Sequence, residues 1–377
     1  MRRYLAPLLV ALALAPFCQE ARSDQGPYDI TFGSYSSSVS TAAQYDLSLV
    51  RGQDPQAEAL DDCEGCDPAG CGSLNAYCGP RWFAFGELLI MRPTNEKVAY
   101  AVPINGAIVP PGGAAPVQVG LEAAVDCDYD AGFRVGGGVF LNDCSSLGVA
   151  YTHYETDTAD AITRTAPYVL RSLVDHPGAW AAPTDFFDGA ARLDIDLDLL
   201  DLDYRHPLIG GGCGQVNYLV GVRYAHLDQT FTSVFTNATT IETVDAAVGF
   251  DGGGIRVGLE GERQVGCFGL MVYGRGVASL VGGNFRGRYL QADNGRGLVV
   301  DTGWNEDRIV SILDLEVGLG WTSPGGMLRA STGYMFSGWY DTLVMDEFID
   351  SVRMNNSVDA GDTLGFDGLV LRGEVRY

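Results

Sequence analysis

Apolar and polar residues alternate in segment after segment from residue 81 onward. A period of two residues is typical of a β-strand whose two faces meet different surroundings. The pattern predicts an all-β chain of about ten strands, at residues 81–91, 131–140, 145–154, 191–206, 215–229, 253–263, 267–281, 308–321, 327–340 and 365–377. Residues 97–102 and 117–125 alternate in the same way, and a further hairpin there would make twelve strands.

The connections between these segments are alternately short and long. The short ones include "LNDC" (141–144), "PLIGGGCG" (207–214) and "TSPGG" (322–326), whereas the connections between them are several times longer. Outer-membrane β-barrels have short periplasmic turns, long extracellular loops and an even number of strands. We therefore expect a transmembrane antiparallel up-and-down β-barrel over residues 81–377, with both of its ends in the periplasm.

The segment "LDIDLDLLDLDYRH" (193–206) shows the alternation most clearly. We expect its first aliphatic residues to face lipid, and Asp194, Asp196 and Asp198 to face the lumen. The doublet Leu199–Leu200 breaks the alternation. A β-bulge near Leu200 would explain the break, because a bulge adds one residue to a strand.

The same alternation assigns further charged side chains to the lumen. The candidates are Glu87, Arg134, Asp194, Asp196, Asp198, Arg223, Arg256, Glu260, Arg275, Asp314, Glu316, Arg329, Arg372, Glu374 and Arg376. Arginine suits a crowded lumen because its planar fork pairs with carboxylates. Two interpretations stay open: a network of ion pairs that fills the barrel, and a charged pore. Eight strands leave an interior just filled by side chains, so ten strands lie near the filled end.

Aromatic residues occur where the predicted strands would cross the two membrane interfaces. Such girdles are typical of outer-membrane barrels. The candidates are Trp82, Tyr204, Phe268, Trp321 and Tyr377 at the periplasmic side, and Tyr151, Tyr224 and Phe336 at the opposite side.

The first residues have the pattern of a signal peptide. Two arginines precede an apolar stretch, and small residues follow it at Ala21–Arg22–Ser23, so residues 1–23 are expected to be removed during export. Lipid attachment at Cys18 is disfavoured, because Pro16 and Phe17 stand where small residues are expected. Residues 24–80 predict a flexible periplasmic extension. No later segment is apolar for long enough to form a membrane-spanning helix.

The cysteines predict disulfides, because an exported protein folds in an oxidising compartment. Candidates are Cys63, Cys66, Cys71 and Cys78 in the extension, and Cys144, Cys213 and Cys267 near the periplasmic rim, while Cys127 falls at the far end. Zinc is disfavoured in the extension, since zinc ribbons pair two C-x2-C units and only one is present. Calcium at Asp194–Asp198 is also disfavoured, because Leu199 and Arg205 replace the Gly and Glu of an EF-hand loop. We expect no metal and no cofactor.

The formal net charge is -24, from 24 Lys and Arg against 48 Asp and Glu. Nucleic acid is therefore excluded as an expected partner, because phosphate binding needs a basic patch. The lumen candidates nearly balance, so most of the excess acid falls on the loops and the extension. Acidic mouths enrich cations, which makes cation preference a hypothesis.

Several segments, read in order, resemble the Legionella-type major outer membrane protein family of pore-forming barrels: "WFAFGELLIMRP", "GFRVGGG", "GVRYAHLDQTF", "YGRGVASLVGGNF" and "LGFDGLVLRGEVRY". The resemblance spans about residues 81–377, and the cysteine-bearing extension resembles versions from planctomycete-like bacteria. It implies an outer-membrane location in a Gram-negative-type bacterium and a porin-like role in passive diffusion of ions or small solutes. It implies no catalytic residue.

Two other functions compete with a pore. A structural or adhesive anchor with a plugged lumen would use acidic loop segments such as "QADNGRG" (291–297) and "VMDEFID" (344–350). An omptin-like barrel protease would use a histidine beside an acid, as at His153 and His226. We expect no enzyme, since such pairs at strand ends are usually incidental. Outer-membrane lipid, lipopolysaccharide and further copies of the chain are the expected partners.

Overall fold

The computed structural model describes residues 82–106, 116–142, 144–178, 185–211, 214–266, 268–356 and 361–377. The predicted signal peptide and the extension with its cysteines lie outside them. The strands are β1 (Trp82–Thr94), β2 (Val98–Ile104), β3 (Ala123–Val125), β4 (Asp130–Phe140), β5 (Ser146–Thr163), β6 (Val169–Ser172), β7 (Asp188–Gly211), β8 (Gly214–Thr236), β9 (Ile241–Val265), β10 (Leu270–Asp293), β11 (Gly297–Thr322), β12 (Leu328–Thr342) and β13 (Asp362–Arg376). One helix, α1 (Met345–Met354), is present in these ranges.

Ten of the strands close into one antiparallel barrel, which confirms the predicted fold and strand number. Their order around the wall is β1, β13, β12, β11, β10, β9, β8, β7, β5 and β4, and β1 closes the ring by pairing with both β4 and β13. The segments that suggested twelve strands do form β2 and β3. They pair with β6 in a separate three-stranded sheet, so they add nothing to the barrel wall.

The strands of the wall extend further than their alternating segments predicted. β9 has 25 residues and β11 has 26. Two connections expected to be long are therefore short turns, at residues 237–240 and 294–296. In the second turn, the Asp293 carboxylate accepts backbone N–H bonds from Gly295 and Arg296, which places "QADNGRG" in a tight hairpin.

Halfway along the wall, the charged and the apolar residues change sides. We call the half next to the connection between β7 and β8 and the turn at residues 323–327 the lower half, and the opposite half, which on β7 comprises residues 188–199, the upper half. On β7 the odd-numbered side chains from residue 191 to residue 205 point inward: Leu193 and Leu199 are buried apolar residues, and Asp201 and Asp203 are buried acids. The even-numbered Leu200 and Leu202 are exposed on the outer wall. The lower half is thus charged inside and apolar outside, and the upper half is the reverse.

The expectation of a bulge at Leu200 is wrong. The pairing of β7 with β5 and with β8 continues unbroken across Leu199–Leu200, and the register shift of β7 falls instead at Pro207–Ile209. The doublet is apolar on both faces because it lies where the apolar interior of the upper half meets the apolar exterior of the lower half.

The upper half is filled by an internal plug, which consists of α1 and the sheet of β2, β3 and β6. Tyr100 of β2 packs its ring 6.2 Å from that of Phe235 on the inner face of β8. Phe348 and Ile349 of α1 are buried in the same apolar core as Phe285 of β10. Because these side chains leave water and contact the wall, the hydrophobic effect holds the plug in place. The described ranges contain no helix with the length and hydropathy of a membrane-spanning one.

Candidate functional site

Charged side chains converge in the lower half of the barrel, and we call this set the lumen network. Twelve of the fifteen residues predicted to line the lumen lie on this inner face: Glu87, Arg134, Arg223, Arg256, Glu260, Arg275, Asp314, Glu316, Arg329, Arg372, Glu374 and Arg376. They come from eight strands, and long-range strand pairing brings them together.

Glu87 anchors one side of the network. Its two carboxylate oxygens accept hydrogen bonds from Nη1 of Arg134, at 2.7 Å, and from Nη1 of Arg372, at 2.8 Å. The Arg372 guanidinium also donates to Glu374 at 2.6 Å and lies 3.9 Å from the centre of the Phe85 ring. Glu87 is therefore an almost fully buried acid, between two arginines.

Arg223 forms the centre of the network. Its Nε and Nη2 donate to the two oxygens of Asp201 at 2.7 and 2.9 Å, and its Nη1 donates to Asp314 at 2.7 Å. Arg256 lies against the same Asp201 carboxylate, and Ser337 donates to Asp314 at 2.6 Å. Charge-assisted and forked hydrogen bonds of this kind are among the strongest in proteins.

A third group joins the centre to the lower rim. Glu260 pairs with Arg205 and Arg275, each at 3.1 Å, and Asp203 contacts the same two arginines at 3.4 and 3.8 Å. Nearer the rim, Tyr273 donates to Glu316 at 2.8 Å. Arg329 pairs with Glu262 at 2.7 Å, and Arg376 pairs with Glu374 at 2.6 Å.

The network leaves very little open space. A cavity of about 30 Å³ lies among Arg134, Arg223, Arg256, Arg275 and Asp314. A single buried water needs about 10–15 Å³ of such space, so the cavity holds at most a few water molecules. This cavity is too small for a larger solute.

The remaining three predictions for the lumen are wrong. Asp194, Asp196 and Asp198 point outward from the upper half, while the aliphatic residues between them are buried inside. Sequence reasoning missed Asp201, Asp203 and Arg205, which take their place on the inner face. The outward assignment of Leu202 and Tyr204 implies them, because successive side chains of a strand point to opposite faces.

The plug adds a second barrier above the network. Glu96, in the connection from β1 to β2, accepts the backbone N–H of Met345 at 3.1 Å and so holds the first turn of α1. The pKa of Glu96 rises to about 8 because burial disfavours its charged form. Burial likewise raises the pKa of Asp175, which follows β6. The sequence placed "VMDEFID" in a solvated loop, and it proves to be most of α1 and part of the buried core.

The predicted girdle residues lie on the outer surface of the barrel. Trp82 and Tyr377 pack together with ring centroids 5.5 Å apart, and Nε1 of Trp321 donates to the carbonyl of Phe268 at 3.0 Å. Tyr204 is partly exposed beside Tyr218. The three residues predicted for the opposite girdle are exposed farther up the wall: Tyr151, Tyr224 and Phe336.

Two of the predicted cysteine positions can be located. Cys144 lies in the turn between β4 and β5, and Cys127 is a buried free thiol between β3 and β4. Burial raises the pKa of the Cys127 thiol to about 12, so it stays protonated and unreactive at neutral pH. Six candidates for disulfides lie outside the described residues: Cys63, Cys66, Cys71 and Cys78 in the extension, together with Cys213 and Cys267.

The histidines that suggested a protease face outward. His153 and His226 lie on the outer wall of the upper half, each beside aspartates of neighbouring strands. They are on separate strands, β5 and β8, with β7 between them, and neither points into the barrel.

Comparison with known proteins gives one family. The family described as Legionella pneumophila major outer membrane protein precursor matches residues 79–376. No curated protein gives a significant match.

Solved structures of other barrels are distantly similar. The outer membrane protease OmpT from Escherichia coli is 11% identical with a TM-score of 0.44, and the match covers 80% of this chain and 99% of that one. A Pseudomonas aeruginosa FadL homologue is 9% identical with a TM-score of 0.21, covering 79% and 90%. The TodX deltaS2S3 mutant monoaromatic hydrocarbon channel is 9% identical with a TM-score of 0.24, covering 79% and 91%.

Proposed function

This chain belongs to the Legionella outer membrane protein family and is an outer-membrane β-barrel, and we propose that it is a narrow, gated pore for small ions. The apolar outer face of the lower half is the part of the wall that contacts lipid. The observation that carries the proposal is the chemistry of the inner face at that level, where arginines and carboxylates fill the space.

Stability alone is a poor reason for this filling. Buried ion pairs cost desolvation, and apolar residues of similar volume often stabilise a protein as well or better. The same chain fills the upper half of the same barrel with Phe, Leu and Val side chains. A polar path through the bilayer is the property that an apolar filling would lack, because ions pass only where polar groups replace their hydration.

The structure supplies two barriers that opening has to remove. One is the lumen network, whose pairs would have to exchange partners or hydrate. The other is the plug, which blocks the upper half with buried aromatic side chains such as Tyr100 and Phe348. Cation preference is part of the proposal, because the outer wall near the mouth is rich in aspartates and attracts cations.

Conductance of the refolded protein in a planar lipid bilayer under a KCl gradient tests this function. We expect infrequent small steps with a cation-selective reversal potential. Arg223→Ala removes the centre of the network and should raise the step size, whereas Asp194→Asn on the outer wall should leave it unchanged. Silence of the parent and of the Arg223 variant, with both folded, would refute the pore.

A structural anchor is the second candidate, and the apolar core of the upper half favours it. A plug that is packed like a protein interior can serve as a permanent closure. Deletion of the anchor should weaken the envelope, with release of periplasmic proteins, while the purified barrel stays silent. We propose no catalytic role, since His153 and His226 lie apart on the outer wall, with β7 between their strands.

A further inference from the structure

The outer wall of the upper half carries the same arrangement of three residue types twice. On β5, Tyr151 and His153 both contact the Asp198 carboxylate of β7, with the hydroxyl at 2.5 Å and Nδ1 at 2.9 Å. On β8, Tyr224 and His226 both contact Asp251 of β9, at 3.0 and 2.8 Å. Each histidine follows its tyrosine by two residues, so both side chains point outward from the same strand.

We call these two arrangements the His153 cluster and the His226 cluster. Only the His153 cluster has a further carboxylate on the same side of the imidazole. Oδ1 of Asp196 lies 3.7 Å from Nδ1 of His153, which is beyond hydrogen-bond distance. This oxygen is shielded from solvent and accepts no hydrogen bond from any described residue. An acceptor that is neither hydrated nor bonded is costly unless something else binds it.

The separations match those around a tetrahedral metal ion. Zinc bonds of 2.0–2.2 Å to nitrogen and oxygen place neighbouring ligand atoms about 3.4 Å apart. The distances of 2.9 and 3.7 Å from Nδ1 to the two aspartates bracket that value, and the three ligand atoms all lie within 4.8 Å of one another. The side chains are partly exposed, so an ion can enter from solvent.

We propose that His153, Asp196 and Asp198 bind a divalent transition-metal ion of the zinc class on the outer wall. An imidazole nitrogen selects such ions over calcium and magnesium, which prefer oxygen ligands alone. Three protein ligands leave a fourth position to water. The hydroxyl of Tyr151 donates to the same oxygen of Asp198 that contacts His153 and orients this carboxylate, as groups next to metal ligands commonly do. The site is independent of the proposed pore, because it faces away from the lumen.

The second cluster is built differently, and it provides the matched control. His226 has its two acids on opposite ring nitrogens, with Asp251 on Nδ1 and Asp228 on Nε2 at 3.2 Å. Arg286 also pairs with Asp251 at 2.8 Å. Carboxylates on opposite sides of a ring do not converge on one ion, and the arginine already neutralises one of them.

Calorimetric titration of ZnCl2 into the refolded protein tests the site. All proteins carry serine at Cys63, Cys66, Cys71 and Cys78, so that thiolates of the extension contribute no binding. We expect one site, weakened roughly tenfold or more in His153→Ala and Asp196→Asn, and about tenfold in Tyr151→Phe. His226→Ala should bind as the parent does.

Three results would overturn the proposal: no binding of zinc, equal loss in His226→Ala and His153→Ala, and binding of CaCl2 or MgCl2 as tight as that of ZnCl2. Heat-modifiable migration on gels shows for each variant that the barrel is folded, which separates a lost site from a lost fold.

Discussion

Leu199 and Asp201 point into the barrel from the same face of β7, two residues apart, into opposite surroundings. Leu199 lies in the apolar core that surrounds the plug, whereas Asp201 receives the fork of Arg223. The step between them marks the level at which the outer wall changes from lipid-facing to water-facing. The chain thereby joins a membrane barrel to a water-exposed barrel along continuous strands.

Single cysteines on β7 should report this exchange directly. In intact cells, Asp196→Cys should react with a membrane-impermeant maleimide, since its side chain is on the water-facing wall. Leu197→Cys should stay unlabelled because position 197 is buried inside. Leu202→Cys should react only with a lipid-soluble reagent. The parent protein measures background labelling of native cysteines, and labelling at 197 but not at 196 would reverse our assignment of the faces.

Removal of one acid from the centre of the network should destabilise the barrel strongly. Asp201→Ala leaves Arg223 and Arg256 without their shared carboxylate. Breaking a buried pair in this way typically costs about 3–5 kcal/mol. Unfolding by urea in detergent micelles measures this loss in the free energy of unfolding. Asp194→Ala, which breaks an exposed pair with Arg192, should cost no more than about 1 kcal/mol. Equal effects of the two substitutions would contradict the assignment of Asp201 to the interior.

A side chain at Gly287 should displace α1. A Cβ atom there would come within 2.5 Å of the ring of Phe348, which is too close for any real contact. We therefore expect Gly287→Val to increase hydrogen exchange across Met345–Met354, because the helix can no longer pack against β10. Gly282→Val is the control on the same strand, since a Cβ atom there meets nothing within 4 Å. Unchanged protection of the helix in the Gly287 variant would show that α1 packs elsewhere.

The attachment of α1 should weaken as the pH rises. The pKa of Glu96 is about 8 in the folded protein, against an ordinary value of 4.5, because burial favours the neutral acid. Its folded state therefore binds more protons than its unfolded state between these values, and stability falls as the pH rises from 4.5 to 8. Asp346, whose pKa burial raises to about 6, acts in the same direction over a narrower range.

Thermal unfolding midpoints measured from pH 5 to pH 8.5 check this dependence. Glu96→Gln should flatten the profile, because a neutral amide cannot lose a proton. Glu155→Gln, on the outer wall, should preserve it. A parent profile that is flat, or that rises with pH over this range, would mean that Glu96 is ionised in the folded protein.

Sequence reasoning recovered the barrel because the two-residue period survives wherever one face meets lipid. It predicted the ten strands of the wall and assigned most of the lumen network, including Arg223 and Glu260, since alternation alone says which side chains share a face. It failed at residues 194–198, where the same alternation continues with the faces exchanged. A period of two says that the faces differ, and it does not say which one meets water.

The plug could not be predicted from the sequence, for a different reason. Its strands are short, so the brief alternation at residues 97–102 and 117–125 predicts strands without saying that they lie inside the barrel and not in its wall. The helix α1 shows the acidic face that a solvated loop would show, while its buried partners Phe285 and Tyr289 come from β10. The ligands of the proposed metal site do not stand together in the sequence either, because His153 lies on a different strand from Asp196 and Asp198.

The length of the strands determines how far the barrel extends beyond the membrane. At about 3.3 Å per residue, the 26 residues of β11 extend for about 85 Å. A tilt of about 40° leaves about 65 Å along the barrel axis, of which the apolar band occupies only about 25 Å. The upper half therefore rises tens of ångströms out of the bilayer, and it presents an acidic wall to the surrounding water.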